Sequence, residues 1–382
     1  MSDDHELNCK FGQIPGNDLQ RRQSSPQIRT TDESIGSMND YFGETKRREK
    51  TNHNACHSVI PQSCVSEDPK LKLEVLKERK DMMTKTRNEA VRQIEGNEGA
   101  KVIVSDSDLR STGFQVDFSK MLFKGTFAKI YAGQDNVGHD AVVKVYEIKN
   151  LDSRLGFRIK NSGSHLRYLS QHRNTWIVHV MQVVVSPEKF YVFMKKIGCG
   201  INLTERLKSF SEQECLQVSK DLSRGLVFLH ERGIAHDDLC GKHVFFDSQD
   251  NPVIGGLDYS VVYIQSNGNH SRVVKQQASS KDHFQNHWSP EKTKDDLYDP
   301  SKADVWSFGV VFLQMLTKQV RPIDPKSHHR LDIQWKQLLS KNHVQETDVI
   351  SRVCGLCFVT DSDLRADILH VCFAIELHHP EI

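Results

Sequence analysis

Apolar and polar positions alternate between Phe114 and Met194 with the period of two that sends successive side chains to opposite faces of a strand. Five stretches carry the pattern: Phe114–Gly125, Ile130–Gly133, Ala141–Ile148, Val178–Val185 and Phe190–Met194. They predict a small five-stranded antiparallel sheet. The period then changes. Glu212–Arg232, Lys302–Thr317 and Val349–Phe358 repeat their apolar residues at spacings of three and four, which predicts helices. A strand-rich half (114–198) followed by a helix-rich half (199–378) predicts an α+β fold of two lobes with a site between them.

The chain ahead of the sheet reads differently. Residues 1–65 are rich in Ser, Asn, Asp, Gln and Arg, with few large apolar residues and no period. Such a composition buries too little apolar surface to offset chain entropy, so a disordered regulatory tail is expected. Over 66–100, Leu73, Leu76, Met83, Ala90 and Ile94 fall at helical spacings among dense Lys, Arg and Glu. That predicts a charged, mostly solvated helical linker resting on the next domain; two heptads are too few to argue a coiled coil.

Composition narrows the function classes. The 382 residues leave room for a domain of roughly 260 and a substantial tail. Lys and Arg number 51 against 50 for Asp and Glu, so charge asks for neither nucleic acid nor a membrane surface. There is no apolar run of about 18 residues and no signal-peptide core, so a cytoplasmic protein without direct membrane insertion is expected. The nine cysteines show no disulfide-framework spacing. Cys354-x-x-Cys357 lies among Val353, Leu356 and Phe358, which favours buried helix cysteines over zinc ligands.

The chemistry-bearing residues form an ordered series. Ile234 to Phe246 reads I-A-H-D-D-L-C-G-K-H-V-F-F. Upstream stand Leu122-Phe123-Lys124-Gly125-Thr126-Phe127-Ala128 and Ala141-Val142-Val143-Lys144. Downstream come Trp288-Ser289-Pro290-Glu291, Asp304-Val305-Trp306-Ser307-Phe308-Gly309, and Cys357-Phe358 with Asp361 and Arg365. Together and in this order they resemble the motifs of the eukaryotic protein kinase superfamily: G-x-G-x-x-G, V-A-I-K, H-R-D-L-x-x-x-N, A-P-E and C-W-x-x-D-P-x-x-R-P. The resemblance spans about residues 114 to 378, and Trp288 and Trp306 lean toward the tyrosine-kinase-like branch.

What the resemblance implies differs from motif to motif. Asp238 falls at the position of the catalytic base, and Lys144 at that of the lysine contacting nucleotide phosphates. Gly125 alone survives of the loop glycines; Phe123 and Ala128 take the other two places, and a bulky Phe123 is expected to narrow or fill the phosphate space. The helix C glutamate that holds the lysine is missing. No Glu lies between Glu147 and Glu188, Ser162 or Gly163 occupies its place, and Asp152 is too early and too short. Lys144 must then find another anion, face solvent or neutralise, since an unpaired buried charge costs about 3–5 kcal/mol. Asp237 replaces the arginine that receives an activation-loop phosphate, and two adjacent carboxylates repel one. His243 replaces the magnesium-holding Asn, and neutral imidazole is a poor ligand for a hard cation.

The D-F-G motif has two registers. Counting 13 residues from His243 lands on Gly256-Leu257-Asp258, which removes the metal-binding Asp. Two extra residues in the turn at Ser248–Asn251 would instead make Asp258-Tyr259-Ser260 the motif and keep Asp258 as a metal ligand. The first is favoured, because Val253-Ile254-Gly255 then forms the preceding strand without an insertion. The scaffold motifs are better kept: the resemblance implies a buried Glu291–Arg365 ion pair and an Asp304 that ties down the catalytic loop.

The expectation is therefore a catalytically impaired kinase-like protein acting as a regulatory or scaffold module, with no cofactor and no metal, ATP without metal being the one nucleotide option. The alternative is a weak or unconventional Ser/Thr or Tyr kinase retaining Lys144 and Asp238. In the tail, Arg21-Arg22-Gln23-Ser24-Ser25-Pro26 fits the R-x-x-pS-x-P pattern read by 14-3-3 proteins, with Arg21, phosphorylated Ser24 and Pro26 as its elements. An inactive kinase-like domain behind such a tail resembles proteins that bind a potassium channel, which implies a signalling or channel protein among the partners.

Overall fold

The structure, a computed structural model, describes residues 69–378 except 97–98, 104, 126, 152, 266–267, 269, 275–286, 295–296 and 322–330. The tail with Arg21, Ser24 and Pro26 lies outside the described residues, as do Thr126 and Asp152.

Helix α1 (Pro69–Glu95) leads into strands β1 (Lys101–Val102), β2 (Phe114–Lys124), β3 (Ala128–Asp135) and β4 (Asp140–Glu147). Helix α2 (Ser153–Gln171), β5 (Val180–Val185) and β6 (Lys189–Lys195) complete the first lobe. Its sheet runs β1-β5-β6-β4-β3-β2. Neighbours are antiparallel except β1, which joins β5 in parallel. The sheet thus has six strands, not the expected five, because a two-residue strand is too short to show alternation. It also draws 101–102 into a lobe expected to begin at 114.

Helix α2 gave no clear period because its inner face is partly polar. Ile159, Leu166 and Leu169 are buried, and Ser162 and His165 are buried with them. Ser162 satisfies its hydroxyl by donating to the Ile159 carbonyl at 2.7 Å.

The second lobe opens with α3 (Leu203–Arg206) and α4 (Glu212–His230), the latter started by a Ser211–Glu214 capping box. Strands β7 (Ile234–Ala235), β8 (Val244–Phe246), β9 (Pro252–Ile254) and β10 (Val261–Val262) pair as β7–β10 and β8–β9. They frame the loop around Asp238. Next come β11 (Val273–Val274), α5 (Pro290–Lys294), β12 (Leu297–Tyr298), α6 (Pro300–Thr317), α7 (Leu331–Lys341), α8 (Asp348–Cys357) and α9 (Ile368–His378). Helix α6 is the lobe's central post. Asp299 caps it, Pro300 opens its first turn, and Val305, Trp306, Phe308, Phe312 and Met315 are all buried. Cys354 and Cys357 are buried free thiols on α8, as the apolar context predicted. Among the described residues no helix is long and apolar enough to cross a membrane, and no group of three or more His, Cys, Asp or Glu is arranged to hold a metal ion.

Candidate active-site cleft

The scaffold side of the site is built from charged groups that each serve several partners. The Arg365 guanidinium grips Glu291 with both arms, Nη1–Oε1 at 2.6 Å and Nη2–Oε2 at 2.9 Å. The same guanidinium donates to the carbonyls of Lys302 (2.8 Å) and Val359 (2.9 Å). Asp304, on α6, accepts the backbone N–H of His236 (2.7 Å) and Asp237 (2.8 Å) and meets His230 Nε2 at 2.9 Å. The loop carrying Asp238 is thereby pinned to the central helix.

Asp237 takes a place that its family position did not foretell. It has a left-handed backbone, φ 61°, and a fully buried carboxylate. Lys292 Nζ lies 2.8 Å from Oδ1, and the Tyr298 hydroxyl donates to both oxygens at 2.8 Å. Asp237 therefore does not stand beside Asp238 as a second carboxylate repelling an incoming phosphate. It turns inward and binds the loop to α5 and β12 through a permanent internal cation.

In the cleft, β4 sits between β3 and β6, with Lys144 opposite Ile130 on one side and Val192 on the other. Lys144 forms an ion pair with Asp258, whose carboxylate is buried. Asp258 thus supplies the anion that helix C lacks. The neighbouring Ser260 is bound by His165 of α2, Nε2 to Oγ at 2.7 Å. Gly125 closes a turn onto the Ala128 carbonyl (2.9 Å), and Phe127 packs against the core. Phe123 is 59% exposed, and its ring lies 3.5 Å from where a Cβ on Gly125 would stand.

Asp238 is bracketed by imidazoles. His287 Nε2 donates to Oδ1 at 2.9 Å; His243 Nδ1 donates to the Asp238 carbonyl at 2.8 Å and lies 3.5 Å from Oδ2. Burial alone would push the Asp238 carboxyl up, but the His287 hydrogen bond and the charges of His243 and His287 outweigh it and hold the carboxyl well below the usual range. Burial likewise opposes a charge on His243, yet the Cys240 sulfur beside it and Asp238 push the imidazole up to about 10. In return, the His243 charge overcomes burial and draws the Cys240 thiol down to about 7.

Gly256 explains how His243 fits. Its backbone is left-handed (φ 70°), and a Cβ there would come within 2.5 Å of His243 Cγ. The ring therefore lies flat on Gly256, in space that any larger residue would need. β9 ends at Ile254 and pairs with Val244, and no extra residues separate it from Gly255 and Gly256. The favoured count of 13 residues from His243 therefore reaches Gly256 directly after this strand, with Leu257 buried beside it, while Asp258, the residue the other register makes the metal ligand, is paired with Lys144.

A magnesium ion does not fit these groups in the family's manner. An imidazole offers a hard cation no oxygen ligand, Gly256 has no side chain, and Asp258 is engaged with Lys144. The scaffold residues Glu291, Asp304 and Arg365 and the cleft residues Lys144 and Asp238 converge on one framework; Gly125 sits at its loop edge. Sequence reasoning missed His287, His165, Lys292 and Tyr298. Each lies far along the chain from its partner and outside any motif, so only its place in space marks it.

A profile of the family described as protein tyrosine and serine/threonine kinase matches residues 116–372, more than half of the chain. Curated relatives include CBL-interacting serine/threonine-protein kinase 13 of Arabidopsis thaliana, 27% identical over 216 residues, which make up 55% of this chain and 41% of the relative. CBL-interacting serine/threonine-protein kinase 18 of the same plant is 28% identical over 209 residues, 53% of this chain and 38% of the relative. CBL-interacting protein kinase 17 of Oryza sativa subsp. japonica is 28% identical over 205 residues, with shares of 52% and 43%. The matched segments span less than half the length of these relatives.

Proposed function

Because this chain belongs to the protein tyrosine and serine/threonine kinase family, we propose that its domain is a regulatory binding module that has given up phosphoryl transfer. The observation that carries the reading is the His243 ring lying on Gly256, the two positions that the favoured register matches to the family's metal ligands. Phosphoryl transfer rests on positioning and on metal neutralising the phosphates, with little other chemistry for the protein to supply. Three further features support the reading: Asp258 is committed to Lys144, helix α2 contains no glutamate, and Asp238 is held charged by two imidazoles. The test is autophosphorylation and peptide phosphorylation with magnesium or manganese, alongside Lys144→Met and Asp238→Asn. No transfer above the two variants is expected; robust transfer abolished in both would refute the reading.

A second reading, a weak or unconventional kinase, is favoured by two observations. Lys144 pairs with Asp258 while both Lys144 and Asp238 lie near His243, and two of the relatives are named as serine/threonine kinases. The tyrosine-kinase-like leaning of Trp288 and Trp306 remains part of the proposal. ATP held without metal would rest on Lys144 and is tested by thermal shift in chelator, where no shift at millimolar ATP rejects it.

The partners follow from the tail. The relatives' names give them a protein partner, and a protein partner is proposed here too. Phosphorylated Ser24, with Arg21 and Pro26, is the proposed 14-3-3 docking site, and a channel or other signalling protein the proposed client. Capture of 14-3-3 by the phosphorylated wild type and its loss in Ser24→Ala would support the docking site; equal capture by both would remove it.

A further inference from the structure

Helix α1 is fastened to the helical lobe. It buries Met83, Ala90, Val91 and Ile94, and Val91 completes a cluster with Ala235, Tyr263 and Ile264. Arg87 Nε donates to the His230 carbonyl at 3.2 Å, at the end of α4. Arg79 Nη1 reaches Glu376 of α9 at 3.4 Å, beside the Arg224–Glu376 pair at 2.9 Å. The expected solvated linker is thus half core.

Residues 99–103 are fastened to the other lobe. β1 pairs with β5, and the Ile103 N–H donates to the Val185 carbonyl at 2.9 Å. Arg167 of α2 donates to the Gly99 carbonyl at 3.2 Å. One turn earlier, a Cβ on Gly163 would lie 3.1 Å from the Ala100 nitrogen and 3.3 Å from its Cβ. Gly163 and Arg167, four apart, share one helix face. Ser162 and His165 lie on the buried face, where His165 binds Ser260. Helix α2 is gripped from outside as well as inside.

An active kinase locates this helix with the lysine–glutamate bridge. Here Lys144 is turned to Asp258, so β4 sends no ion pair to α2 through it. We propose that α1 together with residues 99–103 is an intramolecular strap that ties α2 to the helical lobe and sets the cleft in place of that bridge. The glycine at position 163 is what lets Ala100 seat against the helix. The strap is a conformational device independent of whether the domain transfers phosphate. Any partner that lifts α1 loosens α2 with it.

Hydrogen exchange of the full chain, read by mass spectrometry, tests this. In Arg79→Ala/Arg87→Ala, which leaves every cleft residue in place, α1 is expected to exchange about tenfold faster or more, with α2 following and α6 keeping its protection. Gly163→Val, which forces Ala100 away, is expected to speed exchange in 99–103 and α1 from the other end. Faster exchange in α1 with α2 unchanged overturns the strap, as does unchanged α1 in the double variant. Should the double variant unfold the helical lobe, Gly163→Val decides alone: exchange in 99–103 and α1 equal to wild type overturns the proposal.

Discussion

Arg365 and Lys144 are both inward-facing cations held by a carboxylate, and they have different relations to the kinase frame. Arg365 has no exposed side-chain surface, pairs with Glu291 through both arms and also donates to two backbone carbonyls. Lys144 keeps 19% of its side chain exposed and binds a carboxylate from an unexpected place in the chain. The comparison teaches why one region keeps its family residues and the other does not. Arg365 satisfies backbone groups that the fold buries whatever the domain does, so removing it leaves several partners stranded. The family partners of the cleft residues are nucleotide and metal. Here Lys144 is paired with Asp258, and the His243 ring lies against Gly256.

The largest effect belongs to the scaffold. Arg365→Ala leaves Glu291 buried without its cation and should cost about 3–5 kcal/mol in urea denaturation. A loss below 1 kcal/mol would erase the distinction between the two regions. Next comes the His243–Gly256 stack. Gly256→Ala combines a clash at 2.5 Å with a left-handed backbone, and roughly 2–4 kcal/mol of stability should be lost. Adding His243→Ala should recover part of that loss, and strict additivity of the two would mean that the ring is not what Gly256 accommodates. Lys144→Met should cost less, about 1–3 kcal/mol, because the Lys144 end of the pair is 19% exposed and admits water to Asp258. A neutral outcome there would place Asp258 with some other partner.

The smallest effect is a pH dependence. His243, raised to about 10 from 6.5, contributes stability that is fully present below pH 6.5 and lost as pH rises through 10. Cys240, lowered from 9.0 to about 7, contributes stability present above pH 9.0 and lost as pH falls through 7. Between these limits the proton His243 gains is the one Cys240 gives up, so the pair is nearly silent. From pH 9 to 10 His243 acts alone. The stability advantage of wild type over His243→Gln should narrow across that interval in denaturant titrations, and a widening gap would reverse the assignment.

Much of this frame was legible in the chain. Alternation found the strands that hold Lys144, helical spacing found α4 and α6, and the motif series placed Glu291, Asp304 and Arg365 before any geometry. What was hidden is of two physical kinds. β1 is too short for a period, and α2 buries Ser162 and His165 where a pattern reader expects apolar residues. Asp237 looked like a surface repulsion because charge alone says nothing of direction; a left-handed backbone sends it inward to Lys292. His287 and Lys292 carry no signal in one dimension, since their partners lie dozens of residues away.

The central claim is that His243 on Gly256 has closed the metal site. Calorimetric titration of the full chain with ATP, in magnesium and again in chelator, addresses it most directly. The account predicts affinities equal within about twofold in the two conditions, with Asp258→Asn leaving that ratio unchanged. Binding tightened about tenfold or more by magnesium, with the gain lost in Asp258→Asn, would contradict it.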